Sequence, residues 1–210
     1  MIQVKNLNKQ FNGEYLFTEF NLSVNKGEMI AITGESGSGK STLLACMCGL
    51  EKFDKGKIEI NKRNITNMKQ KDKVLIYRNE IGYLFQNYAL ISHETINYNL
   101  EIVLSYKKLS KAKKKELKLE ALNKVGLDKS LDTKVYTLSG GEQQRVAIAR
   151  LLLKEPLVIF ADEPTGALDE VNKHIILKLL LEFKGKSTII IVTHDEEVMN
   201  YCDRNIQLSK

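Results

Sequence analysis

The sequence has no apolar stretch of membrane-spanning length. Crossing a bilayer takes about 20 consecutive apolar residues, and the runs LVIFA (157–161) and IIIV (189–192) fall far short of that. A leader is missing too: Met1 runs straight into the strand-like IQVKNL, with no charged-then-apolar segment. Both absences point to a cytoplasmic chain, or to the soluble part of something larger. Cysteine is scarce, and its odd count of three argues against a disulfide framework. Cys46 and Cys48 stand two apart in an apparent helix, where they face different sides. No further Cys/His cluster completes a zinc site, so they read as buried free thiols. Proline occurs only at Pro156 and Pro164, bracketing LVIFA, and there are no repeats and no low-complexity linker. Charge is only mildly one-sided, with 32 basic against 26 acidic residues and a net +6. That surplus suits a nucleotide, a membrane surface or a nucleic acid and selects none of them.

What is present is an alternation of strands and helices. At 210 residues the chain fits one domain with room for an inserted subdomain. IQV, FNLSV, MIAIT (29–33), KIEI (57–60) and IGYLF (81–85) read as strands. From Glu94 the period changes, with Ile96, Leu100, Val103 and Leu104 at helical spacing. The lysine-rich KKLSKAKKKELKLEAL (107–122) continues that helical block, which ends in the LSGGE helix. LVIFA, a helical set of Val171, Ile175, Leu179, Leu180 and Phe183, and TIIIV then restore the alternation. The fold class is therefore α/β: a mostly parallel sheet covered on both faces, with an antiparallel edge layer from the first strands. The core is expected over about 1–86 and 156–210, interrupted by an α-helical subdomain over about 87–155. The lysine run lacks interleaved aromatics on which bases could stack. It reads as a solvated helix face, and no nucleic-acid partner is expected.

GESGSGKS, Gly34 to Ser41, matches G-x-x-x-x-G-K-[ST] with a strand before it and a helix after it, the setting of a P-loop NTPase core. Gly34, Gly37 and Gly39 let the backbone curl so that N–H groups converge on a phosphate, with Glu35, Ser36 and Ser38 between them and Thr42 following. Lys40 would reach the β- and γ-phosphates of ATP, Ser41 would ligate Mg²⁺, and the helix dipole adds to the field. In LVIFADEP a buried strand delivers Asp162 and Glu163 to the carboxyl edge of the sheet, where open α/β sheets bind ligands. Asp162 is placed to hold Mg²⁺, and Glu163 to polarise a water. TIIIV brings His194 to the same edge, within reach of the γ-phosphate and the attacking water; His93 and His174 lack such placement.

A second anion-reading helix start lies at LSGGEQQRVAIAR (138–150). Ser139 and Glu142 form a capping box by spacing, but that does not require Gly140 and Gly141, each costing up to about 1 kcal/mol of helix stability. Close approach of a ligand would explain them. One γ-phosphate is already surrounded by Lys40, Mg²⁺ and the acids. A second copy of the chain resolves the problem: in a head-to-tail pair, each Ser139 helix caps the ATP held by the partner's Lys40 loop.

The order and spacing of the P-loop, Gln86 after IGYLF, LSGGEQQR, LVIFADEP, GALD and IVTHD resemble an ABC-transporter ATP-binding cassette over essentially the whole chain. The resemblance implies an ATP hydrolase in which Gln86 senses Mg²⁺ and couples to a membrane permease, while Asp169 faces the second cassette. It also implies an aromatic stacked on adenine, for which Phe11 is the candidate and Tyr15 the runner-up. Two departures are Glu35 inside the phosphate loop and Gly166 where a serine often precedes A-L-D. The short form, GEQQRVAIAR and P-T-G-A-L-D resemble the lipoprotein-release, macrolide-export, bacteriocin-export and cell-division cassettes. That similarity implies export of a peptide, lipid-linked or antimicrobial substrate, or alternatively a cell-division or signalling cassette that moves no cargo. It places the chain in the cytoplasm against the inner face of the membrane through its permease. With the final strand ending close to Lys210, no regulatory domain is expected after it. A coiled-coil repair or chromosome ATPase is disfavoured, because only 53 positions separate Gln86 from Ser139, without sustained heptads.

Overall fold

The computed structural model describes residues 1–11 and 13–208. Two antiparallel strands, β1 (Ile2–Phe11) and β2 (Glu14–Val24), open the chain, followed by β3 (Met29–Gly34) and helix α1 (Lys40–Cys48). Next come β4 (Lys55–Ile60), the short β5 (Arg63–Asn64), α2 (Gln70–Asn79) and β6 (Ile81–Leu84). The helices α3 (Ile96–Leu104), α4 (Lys111–Lys124) and α5 (Gly140–Lys154) follow, with a 3-10 turn at Val135–Thr137. The chain returns through β7 (Val158–Asp162), α6 (Glu170–Leu181), β8 (Thr188–Val192), α7 (Glu196–Asn200) and β9 (Arg204–Leu208).

These strands form two sheets: an antiparallel one in the order β2-β1-β4-β5, and a parallel one in the order β6-β7-β8-β3-β9. KIEI thus belongs to the antiparallel layer, pairing Ile60 with Ile2 and Ile58 with Val4. The parallel strands are apolar along their whole length because each feeds two cores. Val158, Phe160, Ile190 and Val192 face the antiparallel sheet and α1, whereas Ile159, Ala161, Ile189 and Ile191 face α5 and α6. Helix α1 is packed between the sheets, burying Leu43, Leu44, Cys46, Met47 and Cys48. Burial pushes the Cys46 thiol up to about 11 and the Cys48 thiol up to about 12, so both are inert protonated core groups.

The helical block shares one continuous core with the parallel sheet, joining Ile96, Leu100, Leu104 and Leu122 to Ile159 and Ile189. The lysine-rich helix starts at its Ser110 cap rather than at 107. On its inner side Lys118 is buried, bonded to Asn97 Oδ1 at 2.7 Å and Glu101 Oε2 at 2.6 Å. In α6 the periodicity drawn through Val171 and Ile175 is displaced. Val171 is 71% exposed, and the buried face is Ile176, Leu177, Leu179 and Leu180. Helix α2, with only Ile76 buried, carries too weak an apolar stripe to be read from sequence.

Helix α5 ends at Glu155 in the left-handed conformation, and Pro156 turns the chain into β7. Its last turns lie so close to β6 that a Cβ on Gly82 would stand 2.5 Å from Leu151 Cδ2 and 2.9 Å from Pro156 Cγ. Gly82→Ala is therefore expected to destabilise the fold by about 1–3 kcal/mol through overpacking. Urea unfolding measures it, and an unchanged midpoint would show that the α5–β6 contact yields freely.

Candidate active site

The loop between β3 and α1 curls back on itself. Lys40 Nζ donates to Gly34 O at 2.9 Å and to Glu35 O at 2.8 Å, folding its ammonium over the loop. Gly37 and Gly39 have φ of 79° and 88°, the left-handed region that only glycine enters cheaply. Their surroundings differ. A Cβ on Gly39 would lie 2.7 Å from Leu16 Cγ, while one on Gly37 would meet open space. The Ser38 hydroxyl is buried without a hydrogen-bond partner among the described residues.

Two carboxylates reach this loop from the end of β7. Ser41 Oγ donates to Asp162 Oδ1 at 2.8 Å. Burial raises the Asp162 pKa above the usual carboxylate value, against the opposing Ser41 hydrogen bond and Lys40 charge. This half-buried carboxylate beside a serine hydroxyl is a pair of hard oxygen donors that fits a divalent cation such as Mg²⁺. Glu163 has φ 44°, a strained value for a non-glycine residue, and is pinned by its N–H donating to Val192 O at 2.9 Å. Its Oε1 lies 3.0 Å from Nδ1 of the exposed His194, while its Oε2 is buried without a partner among the described residues.

Lys40, Ser41 and Glu163 line a cleft of ≈ 390 Å³ together with Phe11, Ser36 and Gly37, while Ser38, Asp162 and His194 lie outside its lining. Thr42 also lines it; Phe11 is 66% exposed at its mouth, and Tyr15, similarly exposed, is not part of the lining. Gln86 is exposed in the turn after β6 and outside the lining.

Ser139, Gly140, Gly141 and Asp169 also lie outside the lining. Ser139 caps α5 with both halves of a capping box: Ser139 N donates to Glu142 Oε2 at 2.8 Å, and Glu142 N donates to Ser139 Oγ at 3.3 Å. The Ser139 backbone bond holds the Glu142 carboxyl below its ordinary value. Sequence reasoning gave the two glycines a ligand as their only justification, and the structure adds an in-chain one. A Cβ on Gly140 would lie 2.8 Å from the Tyr88 hydroxyl, and one on Gly141 would lie 2.4 Å from Asn172 Cγ. Asp169 caps α6, accepting from Asn172 N at 2.8 Å.

Sequence reading missed Asn99, Arg145, Arg150 and Asn172. Asn99 is fully buried, with its amide bonded to both backbone groups of Ile91 and to Thr95 O. Arg150 donates to Ala89 O at 2.8 Å and to Tyr88 O at 3.1 Å, holding the segment after Gln86. Leu90 is partly buried against the core, whereas Ile91 remains 44% exposed. Asn99 sits on the same face as Ile96, Leu100 and Val103, and a polar residue within an apolar stripe does not announce its partner.

The family profile described as ABC transporter matches residues 17–166. The chain is 37% identical over 211 residues to the lipoprotein-releasing system ATP-binding protein LolD of Aquifex aeolicus, covering 99% of this chain and 93% of that protein. It is 41% identical over 191 residues to the macrolide export ATP-binding/permease protein MacB of a Shewanella species. That match covers 90% of this chain, which spans only 30% of the MacB length. Among solved structures, the dimeric post-hydrolysis state of the ATP-binding cassette MJ0796 bound to ADP and Pi superposes with a TM-score of 0.91 at 35% identity. The superposition covers 100% of this chain and 94% of that one.

Lys40→Ala removes the ammonium that lies over the loop, and with it the charge-assisted contact to phosphate expected of that group. It should weaken ATP binding by at least about tenfold, since a hydrogen bond to a charged group contributes about 1.5–3 kcal/mol. Titration calorimetry with Mg²⁺ present checks this, and equal affinities would remove Lys40 from the binding site.

Proposed function

The chain belongs to the ABC transporter family, as an ATP-hydrolysing cassette, and we propose that it closes head-to-tail on a second copy of itself around two ATP molecules to drive a separate membrane permease. The observation that carries this reading is the separation of two phosphate-reading helix starts. Lys40, Ser41 and Glu163 line one cleft, and Ser139, Gly140 and Gly141 lie outside it on α5. A second copy brings the two together, and the dimeric form of MJ0796 supports that arrangement.

In each site Ser41 and Asp162, with Gln86, would hold Mg²⁺, which neutralises phosphate charge during transfer. Lys40 and the loop N–H groups bind and orient the phosphates, with Phe11 at the cleft mouth against adenine. Glu163 is the general base, its carboxylate lining the cleft where water would attack. His194, 3.0 Å from Oε1, fixes the rotamer of that carboxylate and faces the γ-phosphate. Ser139 with Gly140 and Gly141 covers the partner's ATP, and Asp169 faces the partner.

Among the described residues no helix is long and apolar enough to cross a membrane, so the permease is a separate chain or a segment outside this one. A groove of ≈ 260 Å³ lined by Leu50, Phe85, Ala89, Ile102, Arg150 and Lys154 supports a contact with its cytoplasmic side. Leu50 and Ile102 are 51% and 40% exposed there. Burial and the neighbouring Arg150 lower the Lys154 pKa to about 8, so the groove carries a weakened second cation. The chain therefore works at the cytoplasmic face of the membrane. LolD and MacB support an exported lipid-linked, peptide or antimicrobial cargo, though the similar MetN of Clostridioides difficile, 38% identical over 201 residues, is a methionine import protein.

Glu163→Gln should keep ATP binding, lose turnover by at least about a hundredfold, and accumulate an ATP-bound dimer. Lys40→Ala chains mixed with Ser139→Arg chains should regain partial ATPase activity, because a mixed pair contains one site with neither lesion. Sedimentation and steady-state hydrolysis read both outcomes. A Glu163→Gln protein that stays monomeric at saturating ATP, or a mixture without activity, overturns the shared site.

Ile102→Ser is expected to weaken co-purification with the permease while leaving the ATPase activity of the isolated cassette unchanged. Unaltered assembly would place the contact elsewhere.

A further inference from the structure

One side chain outside the cleft touches three segments at once. Asn172, on the first turn of α6, donates from Nδ2 to Asp169 Oδ2 at 2.8 Å. Its Oδ1 accepts from Arg145 NH1 at 2.6 Å, reaching the second turn of α5. Its amide carbon occupies the space where Gly141 has no Cβ, at 2.4 Å from the position a Cβ would take. Among the described residues Asn172 is the sole hydrogen-bond partner of the Arg145 side chain, whose Nε is buried and unpartnered. Losing the amide would therefore leave a partly buried guanidinium without a partner, which costs more than an ordinary hydrogen bond.

Taking the shared-site reading above as its basis, we propose that Asn172 is a positioning residue that locks the start of α5 to the Asp169 turn of the same chain. Gly141 is then glycine to seat this amide, and not solely to let a phosphate approach. The lock matters because α5 and Asp169 lie on separate segments that must present themselves together to the other copy. If the start of α5 rotates away from α6, Ser139 and Asp169 no longer form one surface. A single amide with a donor for a carboxylate and an acceptor for a guanidinium ties both, and its short stem fixes the spacing. An alanine at position 141 would push Asn172 off both partners, since its amide carbon and oxygen both lie 2.4 Å from that Cβ.

Two measurements test the lock. The first is a stability cycle on the isolated chain. Gly→Ala in a helix is favourable by about 1 kcal/mol in itself, so Gly141→Ala should raise the melting temperature when Asn172 is already Ala, and lower it when Asn172 is present. The same sign in both backgrounds overturns the seat assigned to Gly141. The second uses Glu163→Gln chains with ATP. Adding Asn172→Ala should weaken their self-association by about tenfold while single-chain ATP affinity stays within about twofold, because Asn172 lies outside the cleft. Asn172→Leu, which keeps the bulk and loses both hydrogen bonds, should show the same loss. Unchanged association in either variant overturns the positioning role. A Glu163→Gln parent that never associates contradicts the shared site and the positioning role built on it, while the stability cycle still decides the seat in the isolated chain.

Discussion

Both carboxylates and the phosphate loop hang from the same edge of three adjacent parallel strands, β7, β8 and β3. That edge exists only because the strands are covered on both faces. Alternate residues of β7 enter different cores, Val158 and Phe160 on one side, Ile159 and Ala161 on the other. With both faces dry, the strand ends are the one place where the backbone meets water, and the polar residues collect there. Ser41 and Asp162, 121 residues apart in sequence, meet at 2.8 Å because α1 and β7 pack against each other beneath that edge. A defect in either core would move the Ser41–Asp162 pair.

Helix α5 carries the same constraint outward. Its C-terminal turns sit against β6 at Gly82, and Arg150 reaches from it to the carbonyls after Gln86. Its N-terminal turns meet Asn172 and lie beneath the Tyr88 hydroxyl. One rigid rod therefore links the groove beside Ile102, the turn after Gln86 and the start at Ser139. The groove has a short, packed route to the start of α5. The clustering of Arg145, Arg150 and Lys154 on this helix gives it polar ties along its length, alongside the buried Val146, Ile148 and Leu151.

Glycine in this chain illustrates how one residue type answers different demands. Gly39 admits Leu16 and Phe17, Gly82 admits Leu151, and Gly141 admits Asn172, whereas Gly37 has open space around it and a left-handed φ. Among these four, Gly37 alone lacks an in-chain neighbour at its Cβ position, which is what a surface kept for a ligand requires.

The sequence by itself determined the parts whose physics is local. A strand, a glycine-rich turn and a helix start lie within the thirteen residues Met29–Ser41, so the loop is legible, as are the acids at the end of an apolar strand. The apolar character of the parallel strands and the capping box at Ser139 are local in the same sense. The α6 face was misread because Val171 and Ile175 share a helical period with buried positions without sharing their side. Leu90, four residues after Gln86, packs partly buried against the core. Only the tertiary structure decided those, along with the meeting of Asn172 with Gly141 and Arg145, and the segregation of Ser139 from the Lys40 cleft. Each depends on how elements far apart in sequence pack, and a single polar side chain carries no repeating pattern to announce its partner.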